Sequence, residues 1–327
     1  MSKSAKKFNG YDEDVIEKFN LIKNESTKVP GVIEVDTVEL PSWIDRDRYV
    51  NSCLPVFAKI RPSIPISSLV GLSYLIQLPT ILPPLLYTKK SENVCGLFER
   101  YLDTVAYVRH WHTTDIFDPK TDGYKAVNAV RSMHRHILKV MNEKAEERSK
   151  PTKVAPNVWV SQYDMVVTQW AFYGLLVMYP KACGLHHITD EELYEVIYCW
   201  RVISYFIGID DKFSLWGETV EKSQQLCHLI FDEAYRSILE KQDREAVGSK
   251  MADDIFASMT EVLGPFTAQA VNKYWFRFLG VQSTVHLKTW LEFASDYIVI
   301  NMAEDHWGLD SVNEQRLRGS LLLGERL

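Results

Sequence analysis

An all-α fold is what this sequence predicts, on three observations. Apolar residues recur three and four positions apart along most of its length, the spacing of a helix face. Strand-like alternation is scarce. Breaks such as Lys150-Pro151, Pro180 and Gly208 fall between the periodic stretches rather than inside them. The 327 residues, 46% of them apolar, are enough for one large core.

Charge and cysteine usage narrow the function class. A net charge of −6, with no dense basic stripe apart from the Met1 to Lys7 tail, gives no general attraction for nucleic acid. Five cysteines, odd in number and without a Cys-x-x-Cys pair, argue against a disulfide framework or a zinc ribbon and for a reducing, intracellular setting. The polar N-terminus carries no secretory signal.

Residues 1–40 read as a polar N-terminal arm lying on or beside the main domain, with a short helix near Asp12 to Lys23, and residues 41–327 as one helical domain. Its first helix, capped by Ser42 or Asp45, is expected to continue towards Phe57. Pro62 to Thr88 holds no charged residue, which raises a membrane span, but Pro65, Pro79, Pro83 and Pro84 interrupt it. Two short buried helices around a Pro-rich turn fit best, with peripheral membrane contact as the second reading. Glu92 to Trp111 and Tyr124 to Glu146 have helical apolar periods. Ser161 to Met178, apolar nearly all round, is expected to be a central buried helix. Thr189 and Glu192 form a capping box for a helix towards Phe206. Further helices are expected near 218–241, 252–263, 266–279 and 285–299, and 316–327 offers no clear terminal element.

Two of these helices carry the chemistry. After Tyr124, the residues Val127, Val130, Met133, Ile137, Leu138 and Met141 form an apolar face, and His134 stands at its edge. A neutral imidazole on a rigid helix with apolar neighbours suits an axial haem ligand. The competing account is a core histidine satisfied by a backbone carbonyl. On the preceding helix Arg100, Asp103 and Thr104 fall at i, i+3 and i+4 and share a face. A guanidinium, a carboxylate and a hydroxyl there can hydrogen-bond oxygen, a water or a haem propionate, while an exposed Arg–Asp pair is the plain alternative.

In motif and interval these segments resemble the haem-dependent oxygenase family that includes the latex-clearing proteins (rubber oxygenases) and the MpaB-type oxygenase of mycophenolic acid biosynthesis, which is bound to the endoplasmic reticulum. The likeness runs through Pro41-Ser-Trp-Ile-Asp45, Leu86-Tyr-Thr88, Arg100-x-x-Asp103-Thr104, Val130-Arg-Ser-Met-His134 and Trp200-Arg201 to Gly208-Ile-Asp210, covering about Pro41 to Trp216. It implies a globin-like core holding one haem b, with His134 as proximal ligand, Arg100, Asp103 and Thr104 on the distal side, and Arg131 meeting a propionate. Thr168, placed in the apolar helix, is a further pocket candidate.

The implied activity is oxygenation or oxidative C=C cleavage, with O2, of an apolar substrate that is isoprenoid or like an unsaturated lipid. Arg100 and Thr104 would hold oxygen by hydrogen bonds, and Asp103 would orient them or relay a proton. Asp103 stands where the rubber-cleaving branch has a lysine, which brings the chain nearer the MpaB-type branch. A cytoplasmic location or association with the endoplasmic reticulum membrane follows. No nicotinamide or flavin motif is present, so electrons beyond the substrate's own would come from a partner.

Three other readings compete. Asp210, Ser214 and Glu218 have the spacing of a class I terpene synthase magnesium site, and on a helix they would share a face. The upstream Asp-Asp-x-x-Asp companion is missing. His110 and His112 with Asp115 offer a non-haem metal set if the helix ends by Trp111, whereas a polar helix end is the simpler account. The third is a non-catalytic helical protein that binds haem or lipid.

Overall fold

The computed structural model describes residues 10–35, 39–89, 93–149, 155–241, 243, 245–263, 266–282 and 285–303. The Met1 to Lys7 tail and the segment 316–327 lie outside them. Among the described residues the chain is helical throughout, with only an isolated bridge between Pro30 and Ser161, so the all-α expectation holds.

The first helix, α1 (Glu13–Glu25), lies where the short helix was expected. Val15, Phe19 and Ile22 sit at i, i+4 and i+7, and all three are buried in the same core as the rest of the chain. Lys18 Nζ also donates to the Trp216 carbonyl at 2.7 Å. A 3-10 turn at Ser26–Lys28 follows, and later α2 (Arg46–Arg48), capped by the Asp45 side chain, leads through a π-helical turn at Tyr49–Cys53 into α3 (Leu54–Ile60).

The uncharged stretch folds as expected into two helices, α4 (Ser63–Leu75) and α5 (Leu82–Tyr87), which begin beside prolines. Among the described residues no helix is long and apolar enough to cross a membrane. Next come α6 (Val94–Thr113), capped by Asn93, and α7 (Asp122–Glu143), capped by Thr121. A short α8 (Ala145–Ser149) follows. The central helix is α9 (Gln162–Met178), started by a capping box of Ser161 and Asp164. Its Val166, Val167 and Trp170 have no accessible surface.

The predicted capping box of Thr189 and Glu192 opens α10 (Asp190–Ile207), which ends at Gly208 with φ 111°. The remainder is α11 (Val220–Ile230), a π turn at Phe231–Tyr235, α12 (Arg236–Lys241), α13 (Val247–Leu263), α14 (Ala268–Leu279) and α15 (Trp290–Ala303).

The pairing of α4 with α9 sets the frame for the site. A Cβ at Gly71 would stand 1.9 Å from the Ala171 carbonyl oxygen, so only glycine allows the two backbones this approach. Gly71→Ala must push the helices apart, at a cost of about 1–3 kcal/mol or more. A fall in the urea midpoint with the denaturant slope unchanged is the expected result.

Candidate functional site

Between α6, α7 and α9, under α4 and α5, lies a cavity of about 460 Å³. Its walls are mainly apolar, with Leu72 and Leu75 from α4 and Ile76 just after it, Val130, Met133 and Ile137 from α7, and Met165 and Phe172 from α9. Into this surface are set Arg100, Asp103 and Thr104 of α6, His134 of α7 and Thr168 of α9. Residues chosen on three separate helices therefore meet in one place. The i, i+3, i+4 spacing turned one face of α6 inward, and the position of His134 at the edge of the α7 stripe did the same.

The Nδ1 of His134 is buried and has no hydrogen-bond partner among the described residues. The carbonyl-satisfied core histidine is thus not what is found at this nitrogen. Burial depresses the imidazole pKa to about 4, so the ring is neutral at physiological pH and keeps a lone pair. Trp111 Nε1 and Gln169 Oε1, in the same lining, are also buried and have no partner among the described residues. Leaving such a group unpaired costs about 1–3 kcal/mol. Three of them around one cavity call for a partner that the described residues do not supply.

Arg100 is the one arginine in the lining. Its Nη1 donates to Thr88 Oγ1 at 3.0 Å, and burial pulls its pKa down without discharging it. Thr104 Oγ1 donates to the Arg100 carbonyl at 2.9 Å, and Thr168 Oγ1 to the Asp164 carbonyl at 2.7 Å. Each hydroxyl has spent its proton on the helix behind it and can only accept from a ligand. Asp103 lines the cavity yet remains exposed, which places it at the mouth. Asp164 is inside and fully engaged, with Thr80 Oγ1 at 2.7 Å on one oxygen and Ser161 N and Oγ at 2.8 and 2.9 Å on the other. Burial raises its pKa against these donors, and its part is to cap α9 and tie down the turn before α5.

Several expectations are corrected. Arg131 does not line the cavity: its Nη1 donates to the Phe206 carbonyl at 3.2 Å and its Nη2 to Asn128. It stands on the flank of α7 that meets the C-terminal end of α10, where free carbonyls attract a cation. α6 runs on to Thr113, past the point where His110 and His112 could converge. Asp115 is taken by Arg46 Nε at 2.8 Å and by the Phe117 amide at 2.8 Å. Asp210, Ser214 and Glu218 share no helix, since a 3-10 turn covers only Asp211–Phe213 and α11 starts at Val220. Asp210 caps that turn, and Ser214 is 1% exposed. Among the described residues no group of three His, Cys, Asp or Glu side chains could hold a metal ion.

His112 proves to be a core residue, 5% exposed and stacked on Phe57 with ring centroids 3.7 Å apart. Burial first, and the nearby Arg61 charge second, push its pKa down to about 3. His112 and His134 are both neutral in the folded chain and regain the usual value of 6.5 when it unfolds. Between pH 6.5 and about 3 the unfolded state therefore binds more protons, so stability falls as pH is lowered through that window. His112 contributes up to about 5 kcal/mol of that loss. Urea denaturation at pH 7 and at about pH 4.5 should show the loss, and His112→Phe should reduce it.

Sequence reasoning passed over Trp111 and Gln169. Gln169, a lone amide in an otherwise apolar helix, was the available signal; nothing marked Trp111. Comparisons with protein-family models, with curated proteins and with solved structures find no match for this chain.

Proposed function

We propose that the cavity of about 460 Å³ binds one haem b with His134 as the iron ligand, and that the protein is a haem-dependent oxygenase. The observation that carries this reading is the neutral His134 ring, with an unpartnered buried nitrogen, in the wall of an apolar void. The volume falls within the roughly 300–1,000 Å³ of cofactor and small-molecule pockets. The globin-like core belongs to the same proposal, as does the substrate class, isoprenoid or like an unsaturated lipid.

When bound, haem supplies the iron at which O2 is activated. The chain's residues do the rest. Arg100, the cationic donor of the lining, takes the place expected of Arg131 and pairs with a carboxylate at the haem edge. Thr104 and Thr168 accept hydrogen bonds. Asp103, at the mouth, passes a proton between solvent and cavity. The apolar walls of α4 and α9 keep water out and favour an apolar substrate.

The test is an absorption spectrum of the protein expressed with haem supplied, or reconstituted with it. One haem per chain and a Soret band are expected. No Soret band after reconstitution would overturn the reading. Haem uptake without O2 consumption on any polyprenyl or unsaturated lipid would leave a haem or lipid carrier, and magnesium-dependent diphosphate release would restore the terpene synthase alternative.

A further inference from the structure

A second cavity, of about 250 Å³, lies beside the first. Leu72, Tyr101, Thr104 and Phe172 line both, so a wall one side chain thick separates them. One face of α6 runs the length of the second cavity, through Tyr101, Thr104, Val105, Val108, Arg109 and His112. At 1.5 Å of rise per residue, Thr104 and His112 are about 12 Å apart along the helix. The chamber is therefore elongated, with one end at the shared wall and the other at the C-terminal turn of α6.

The two ends differ chemically. Near the shared wall and along the middle the lining is carbon, supplied by Leu69, Leu72, Val105, Val108 and Met259. Arg61, Arg109 and His112 gather at the far end. Both arginines reach solvent, and neither guanidinium has an ion-pair or hydrogen-bond partner among the described residues. His112 is 5% exposed, and its Nε2 is buried with no partner. An apolar slot that ends in two unpaired guanidinium groups and an unsatisfied imidazole nitrogen matches a particular kind of molecule. It is a single apolar chain with an anionic head.

We infer that the second cavity binds a fatty-acid-type carboxylate, with its chain along α6, its head at Arg61, Arg109 and His112, and its far end at the wall shared with the larger cavity. A bidentate guanidinium pair holds a planar carboxylate, and the imidazole N–H satisfies the remaining lone pair. As a binding site this stands without the haem reading. As an assignment of substrate class it rests on that reading, because only then does the chain end beside a reactive centre.

The test uses the purified full chain and isothermal titration calorimetry with decanoate and with decanol. Decanoate should bind saturably with one site per chain, and decanol at least about tenfold more weakly, as the loss of a charge-assisted hydrogen bond implies. The double variant R61Q/R109Q, changed only at exposed positions, should weaken decanoate about tenfold and leave decanol unchanged. Val105→Trp, placed at a side chain 41% exposed, should block both ligands while the thermal melt stays cooperative. Equal affinity for decanoate and decanol, or an R61Q/R109Q variant that binds like the parent, would overturn the anionic head. Absence of saturable binding, or full binding to the Val105→Trp protein, would overturn the site.

Repeating the titration on the His134→Ala protein separates the two proposals. Decanoate should bind it as it binds the parent, whatever the haem spectrum shows. In the haem-loaded parent, decanoate should shift the Soret band; a Soret band that decanoate leaves unmoved would overturn the substrate assignment alone.

Discussion

His134→Ala is expected to lower haem affinity by at least about 100-fold and to erase the Soret band at stoichiometric haem, a loss beyond the roughly 10–100-fold typical of outer-shell changes. The stability of the ligand-free chain should hardly move. In the folded protein this ring keeps Nδ1 buried without a partner, so its removal relieves an unmet desolvation cost while giving up some packing. A histidine kept for the core would show the reverse pattern, with a lower melting temperature and unchanged haem content. Imidazole added to the medium should enter the vacated space and bring part of the Soret band back. Absorption titration and thermal denaturation of the same preparations measure both quantities, and an unaltered Soret band in the variant would move the iron ligand elsewhere.

The largest stability effect is expected at Arg201, which lies outside the cavity. Its guanidinium stands 3.9 Å from the ring centroid of Trp43 and 3.8 Å from that of Trp216, clamped between two indoles. Nε and Nη2 donate to the two oxygens of Asp211 at 2.7 and 2.6 Å. The side chain is only 10% exposed. Arg201→Leu would strand the Asp211 charge and undo both stacks, at a cost of about 3–5 kcal/mol. That is a large part of the roughly 5–15 kcal/mol by which domains are stable. Arg201→Lys should recover little, because an ammonium neither forks nor stacks. The double variant R201L/D211L should regain part of the loss, since the Asp211 charge is no longer stranded, while the buried Lys18 ammonium loses the attraction of that carboxylate. Urea denaturation followed by tryptophan fluorescence reads the effect, and haem uptake of the folded fraction should be unchanged.

The same Arg201–Asp211 pair explains one limit of reading the sequence. Asp210, Ser214 and Glu218 have metal-site spacing only if a helix carries them. The carboxylate at 211 instead closes back on α10, ten residues upstream in the chain. Nothing local announces that closure. Helix limits were legible where a side chain caps the first turn, as at Ser161 and Thr189, because the cap and the orphan amides it satisfies are neighbours in sequence. The meeting of Arg100, Asp103, Thr104 and His134 was legible for a related reason, since angular position on a helix follows from spacing. Arg131's angle on α7 follows from the sequence, but the α10 end it meets does not. His112 looked like a polar helix end until Phe57, fifty-five positions away, was seen to cover it. The unpartnered state of Gln169 and Trp111 among the described residues is a property of packing alone.

The void beneath α4 has a consequence for the amount of protein a cell retains. A ligand that binds in the cavity of about 460 Å³ and meets the polar atoms at its edge stabilises the folded chain over the unfolded one. A ligand at 100 times its dissociation constant adds about 2.7 kcal/mol to the folded state. A change of that size alters several-fold the share of molecules that escape proteolysis. Steady-state abundance should therefore track the supply of the molecule that fills the cavity, before any turnover is counted.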